Sequence, residues 1–189
     1  LTISVNVSPR QFQNTDLPQI VSSILSRTGV DPASIELEIT EGILLTDTET
    51  TLGILNELRN LGVRIVMDDF GAGYSALGYL RKFPFNKIKL DRSFIHDLGQ
   101  DSDADAIAHT IIDLARTLKI TANAKGVESQ KQVDWLIDQG CQEAQGFWFA
   151  LPLPATEIDR FITTFNAQAL EAKSGAQRPA EPQLEEIGL

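Results

Sequence analysis

The stretch VRIVMDDFG, residues 63–71, decides the fold. Its first five residues are almost continuously apolar, as expected of a strand covered on both faces, and such strands belong to parallel sheets. Two adjacent carboxylates, Asp68 and Asp69, end the run, and Gly71 follows them. Neighbouring residues on a strand point to opposite faces. Both acids therefore reach one site only if the chain bends there, which Gly71 permits. Just upstream, Leu52, Leu55, Leu58 and Leu61 recur at helical spacing over 50–61, and Gly62 stops that helix.

The same alternation extends in both directions. Strands are expected over 3–7, 35–40, 63–67, 87–90, 120–124 and 144–149. Helices are expected over 17–27, 50–61, 105–118, 131–139 and 156–170, with a short one near 76–82 and Ser129 as a cap. Six strand–helix units with short connections mean a parallel sheet, either open and doubly wound or closed into a barrel. Both architectures place the site at the C-terminal ends of the strands. Asn6, Glu38, Asp68, Asp69, Lys89 with Asp91, Lys125 and Gln145 fall at those ends. Polar groups ending six separate strands suit a barrel, whose strand ends converge on one mouth. A closed barrel of this kind needs eight units, so about two more are expected upstream. The chain opens on Leu1 inside a strand-like run with neither a methionine nor a signal peptide, and reads as part of a longer polypeptide. The expected domain covers 1–168; the run EAKSGAQRPAEPQLEEIGL within 169–189 lacks the apolar content to pack and reads as a disordered tail.

Composition removes several function classes. The 189 residues are 42% hydrophobic and 22% charged, ordinary values for one sizeable core. A net charge of −10 argues against a protein that coats DNA or RNA, because non-specific phosphate binding needs a basic surface. A small nucleotide remains accessible if metals or a few placed cations neutralise it. The single Cys141 excludes an intrachain disulfide and a thiolate zinc site. No apolar run approaches the ~20 residues that span a bilayer.

Carboxylates with an asparagine amide oxygen suit Mg²⁺ or Mn²⁺ better than zinc. Several such groups at one mouth could hold two metals about 3.5–4 Å apart, the usual device for phosphodiester hydrolysis. Lys89 would add a cation for a phosphate oxygen or the nucleophile. A single acid at a strand end most often caps the next helix. Caps do not call for Asn, Lys and Gln at matching ends. The remaining polar groups have plainer readings: His96 and His109 belong on helix surfaces, Trp135 in the core, and either Phe147 or Trp148 beside the site.

Six ordered motifs resemble the EAL domain of bacterial cyclic-di-GMP phosphodiesterases: VNVSPRQF (5–12), ELEITEG (36–42), DDFGAGYSAL (68–77), IKLDRSFI (88–95), AKGVES (124–129) and QGFWFALPLPA (145–155). The resemblance implies a TIM-like (β/α)8 barrel, here about six βα units, that opens cyclic di-GMP to linear pGpG with Mg²⁺ or Mn²⁺. It implies metal ligation by Asn6, Glu38, Asp68 and Asp69, catalysis by Lys89 with Asp91 beside it, and substrate contact by Gln145. Glu128 resembles the residue that supports the loop holding Gly71 and Gly73, and Arg10 is a candidate phosphate contact. A homodimer, an upstream sensory or cyclase domain and a cytoplasmic location are also implied, with or without membrane anchoring of the parent chain.

Two departures bear on activity. The namesake Glu-Ala-Leu motif is absent from these residues and belongs on an earlier strand. The family's AEGVE reads Ala124-Lys125-Gly126-Val127-Glu128, so Lys125 replaces a metal-site glutamate and candidate general base. An ammonium there repels a divalent cation by several kcal/mol even at an effective dielectric of ~20, and stays protonated. A third, smaller departure is Leu151, which stands where relatives often carry Arg or Lys. The expected function is cyclic-di-GMP hydrolysis impaired by Lys125; the alternative is an inactive cyclic-di-GMP receptor or dimerisation module.

Overall fold

The computed structural model describes residues 1–13, 16–44, 48–71, 77–80 and 82–173. Strand β1 (Ile3–Asn6) leads into α1 (Pro9–Phe12), which Ser8 opens in a capping box with Gln11. Helix α2 (Leu17–Thr28) ends at Gly29, whose φ of 68° supplies the left-handed cap. A 3-10 turn at Pro32–Ser34 feeds β2 (Ile35–Thr40), followed by α3 (Glu41–Leu44) and α4 (Thr48–Asn60). Then come β3 (Arg64–Phe70), α5 (Leu77–Leu80), β4 (Lys87–Leu90), α6 (Arg92–His96) and α7 (Ser102–Leu118). The series closes with β5 (Thr121–Lys125), α8 (Gln130–Asp138), β6 (Glu143–Gln145) and α9 (Ala155–Lys173).

All six strands are parallel and lie in chain order, β1-β2-β3-β4-β5-β6. Such a sheet has no switch point and winds in one direction, as the wall of a barrel does. The expected barrel architecture is therefore present as a six-stranded half-barrel. Its two faces differ sharply. Leu37, Ile39, Ile65, Met67, Ile88, Leu90, Ala122 and Ala124 all join one apolar cluster with the helices. The alternate positions carry Glu36, Glu38, Asp68, Lys87, Lys89 and Asn123, all buried on the other face. Val66 is the apolar member of that inner face: it is buried yet lies outside the helix-facing cluster. The core residues lie largely on elements whose helices pack back on the sheet, such as Leu55 and Leu58 of α4 and Ile112 and Ala115 of α7. Burying each large one contributes about 1.5–3 kcal/mol.

Both edge strands are exposed. Among the described residues β1 pairs only with β2 and β6 only with β5, and Ile3 is 64% exposed. Among the described residues no helix is long and apolar enough to cross a membrane.

Several boundaries differ from expectation: β3 runs on to Phe70 where a strand over 63–67 is expected, and α7 starts at Ser102, three residues before the expected 105. The last strand stops at Gln145 instead of running to 149, because Phe149 N–H turns back to donate to Gly146 C=O. The final helix continues to Lys173, so the expected tail begins with five helical residues; 174–189 lie outside the described residues.

Candidate functional site

Asp69 is where the chain bends. Its φ is +53°, that of Gly71 is +92°, and the β3–β4 register shifts between Met67 and Phe70. Holding Asp69 in the left-handed region costs on the order of 1–3 kcal/mol. The bulge turns neighbouring carboxylates toward a common partner, as the sequence required. That partner is Lys125, whose Nζ donates to Asp68 Oδ1 at 2.8 Å and Asp69 Oδ1 at 2.6 Å. Gly71 could not be replaced, since a Cβ there would stand 2.7 Å from the Phe94 ring.

Burial opposes the charge on Lys125, but the hydrogen bonds and negative charges of Asp68 and Asp69 outweigh it. Its pKa lies above the ordinary 10.5. The group is a permanent cation at any pH at which enzymes work, and has no lone pair to accept a proton.

A second ion pair lies next to the first. Lys89 Nζ donates to Glu38 Oε1 at 2.8 Å, with both side chains under a tenth exposed. Deeper in the half-barrel Lys87 reaches Glu36 Oε2 at 2.7 Å and Glu143 Oε2 at 2.6 Å. Ser4 Oγ donates to Glu36 at 3.0 Å and Asn123 Nδ2 to Glu143 at 3.2 Å. Sequence reasoning missed this layer, although its signal was present: Glu36 and Lys87 sit two residues before Glu38 and Lys89, on the same face of their strands.

The other candidates are placed as follows. Asn6 is exposed at the end of β1, opposite Glu38 in the ladder. Asp91 caps α6, accepting from Ser93 N–H at 2.9 Å and Ser93 Oγ at 2.6 Å. Burial raises the Asp91 pKa, but those hydrogen bonds and the charge of Lys125 hold it below the ordinary value. Gln145 pairs with Lys125 across the β5–β6 ladder, and Glu128 lines the same cavity as both. Arg10 is exposed on α1 and does not line that cavity. Gly73 and Tyr74 lie outside the described residues. Phe147 lines the cavity and Trp148 packs on the core. His96 and His109 are on helix surfaces, the latter beside Gln139 and Asp113.

Backbone hydrogen bonds also hold the strand ends at β5 and β6. Val127 N–H donates to Gln145 C=O and Trp148 N–H to Val127 C=O. Gly146 lies so close that any Cβ on it would collide with the Val127 backbone. Backbone cannot step aside as a flexible side chain can, so Gly146→Ala is expected to cost about 3 kcal/mol, the upper end for overpacking. Thermal denaturation should show a loss of roughly 6–12 °C; a change under roughly 2 °C would show that the strand end yields easily.

Oxygen donors of the kind divalent ions prefer are present, but the arrangement does not fit a two-metal centre. Asp68 and Asp69 share the Lys125 ammonium and Glu38 is held by Lys89. Among the described residues no group of three or more acidic, histidine or cysteine side chains could hold a metal ion.

Comparison with known proteins agrees with the motifs. A family model for the EAL domain matches residues 1–152. The chain is 41% identical over 156 residues to MucR of Pseudomonas aeruginosa, a bifunctional diguanylate cyclase/cyclic di-GMP phosphodiesterase, covering 82% of this chain and 23% of MucR. It spans between 19% and 39% of the length of such curated relatives. Its fold resembles the EAL domain of Mycobacterium smegmatis DcpA, with a TM-score of 0.83 and 35% identity over 87% of this chain and 74% of that one. It also resembles Klebsiella pneumoniae BlrP1, solved as a manganese/cy-diGMP complex, with a TM-score of 0.75 and 31% identity over 80% and 39% of the two chains. Divalent metal is thus used within this group of proteins. Matched over most of its length by sequence and by backbone alike, the chain belongs to the EAL domain family.

Proposed function

We propose that this chain acts in cyclic-di-GMP signalling as an EAL domain that binds cyclic di-GMP, and that Lys125 suppresses its hydrolysis of the dinucleotide to linear pGpG. The similarity to MucR and to the BlrP1 complex supports the ligand. The suppression rests on one observation: the Lys125 ammonium lies 2.8 and 2.6 Å from the two aspartates that would serve a metal. Asn6, Glu38, Asp68 and Asp69 are the oxygen donors of the proposed site. Lys89 and Asp91 are its catalytic pair, and Gln145 and Arg10 its ligand contacts. Glu128 with Gly71 and Gly73 forms its supporting loop. Homodimerisation and an upstream sensory or cyclase domain belong to the same proposal, the latter supported by the bifunctional name of MucR.

The test is to incubate the full chain with cyclic di-GMP and Mn²⁺, record binding, and separate the products by chromatography. Binding with little or no pGpG is expected. Turnover equal to that of a Lys125→Glu variant would overturn the suppression, and absence of binding would overturn the ligand.

A further inference from the structure

Gln132, on the first turn of α8, is only 7% exposed, although glutamine usually lies at the surface. Its backbone N–H donates to Ser129 Oγ at 3.4 Å, and its Oε1 accepts from Ser129 N–H at 3.0 Å, which closes the capping box. The same oxygen also accepts from Glu128 N–H at 2.7 Å. On its other side Nε2 donates to Ile95 C=O at 2.9 Å, a buried bond to a residue 37 positions earlier in the chain. Both acceptor sites of the amide and one of its donors are thus used. Capping does not call for the Ile95 bond. Gln11 closes the α1 capping box from an exposed position, and its side chain bonds only to Ser8 among the described residues.

The Ile95 bond instead joins two neighbouring units of the half-barrel. Ile95 lies on α6, which Asp91 caps directly after β4 and Lys89. Glu128 and Ser129 belong to the turn that follows Lys125 at the end of β5. Gly126 lets that turn come close to α6, since a Cβ there would stand 2.8 Å from Arg92 Cβ. On the other side Val127 ties the turn to β6 through its bonds with Gln145 and Trp148. Gln132 completes the anchorage, so the turn is fixed to the units on both sides. Glu128 depends on this most. Its side chain is exposed and lines a cavity of about 180 Å³ with Lys125, Arg92 and Gln145. Among the described residues its carboxylate makes no hydrogen bond or ion pair, so its backbone alone sets where it lies. Gln132 itself does not line that cavity.

We propose that Gln132 is a positioning residue for ligand binding: by tying the Glu128–Ser129 backbone to Ile95 of α6, it places the Glu128 carboxylate at the mouth without touching the ligand. This deepens the reading of the chain as a domain that binds cyclic di-GMP, and rests on it. The test measures Kd of the full chain for cyclic di-GMP in chelator-treated buffer, with and without Glu128→Ala. Gln132→Met, uncharged and of similar length, removes the side-chain bonds. It is expected to weaken binding about threefold to tenfold, the equilibrium equivalent of one hydrogen bond. With Glu128→Ala already present, the further loss should fall below about twofold, because the side chain that Gln132 places is gone. Thermal denaturation reads stability separately and should shift equally in the two backgrounds. Gln132→Glu keeps the acceptor of the capping box and loses only the donor to Ile95, so it should show the same dependence on Glu128 even if Gln132→Met fails to fold. Gln130→Ala, which removes a solvent-facing bond to Asp134 on the same helix, should leave Kd unchanged. Equal losses in the two backgrounds would show a role in stability alone and overturn the proposal. Unchanged affinity in both would also overturn it, with the wild type still binding. Failure of the wild-type chain to bind cyclic di-GMP would overturn the underlying reading and this one together.

Discussion

A full chain carrying Lys125→Glu is expected to hydrolyse cyclic di-GMP roughly 10²–10⁴ times faster than the wild type in Mn²⁺, the range that a positioned general base contributes. The wild-type ammonium is fixed by two hydrogen bonds, to Asp68 and to Asp69. Substitution removes that cation and adds a third carboxylate within reach of the same point. Without metal, three like charges repel, so the variant should be less stable than the wild type in chelator. With Mn²⁺ the order should reverse, because an ion that binds only the folded state stabilises it by about 2.7 kcal/mol at a hundred times its Kd. Thermal denaturation with and without Mn²⁺ reads this independently of activity. Equal Mn²⁺ stabilisation of wild type and variant, with no gain in turnover, would sink the idea that the lysine is what keeps the metal out.

Proton linkage adds a check on the wild type. The Lys125 pKa lies above its unfolded value of 10.5, so the ion pairs contribute fully below that pH. Their contribution is lost only as pH rises through the folded value. No titration of Lys125 enters between pH 6 and 9, and any activity profile in that range reports other groups.

The parts of this molecule that were legible in the sequence are those whose signal is local. The strands Ile35–Thr40 and Lys87–Leu90 could be bounded to the residue because ELEI and KIKL alternate cleanly and each ends at a change of chemistry. The Ser129 cap of α8 was legible because Ser129 and Gln132 form a capping box by themselves. The contest between Lys125 and the aspartates was readable as charge placed at strand ends. What escaped depends on distant backbone. Strand β6 stops early because Gly146 lies against Val127, nineteen residues earlier in the chain, and no periodicity reports that. Gly71 signalled a bend, but the bend is made by Asp69 itself, at φ +53°.

Lys87→Met is expected to destabilise the protein by about 3–5 kcal/mol, the usual cost of breaking a buried pair from one side. Glu36 is 2% exposed, and its Oε1 already lacks a hydrogen-bond partner among the described residues. Among the described residues only Ser4 and the distant, half-exposed Arg64 would remain to it. Glu143, 42% exposed at its side chain, can turn to water and contributes less to the loss. Lys87 joins β4 to β2 and β6 across the concave face, so its removal also loosens the strand that carries Lys89. Against a typical total stability of about 5–15 kcal/mol the loss is large. The double variant Glu36→Leu with Lys87→Met should recover much of it, because both charges are then gone and the volume is kept. Urea denaturation measures both. A single-variant loss under about 1 kcal/mol, or a double variant worse than the single, would show that solvent or Arg64 already compensates Glu36. The pH dependence has a definite sign. Burial opposes the Lys87 charge, yet Glu143 and Glu36 raise its pKa above 10.5. The stabilisation is complete below 10.5 and disappears as pH rises through the folded value. The wild type should therefore lose stability in strong alkali by a step that the Lys87→Met variant lacks.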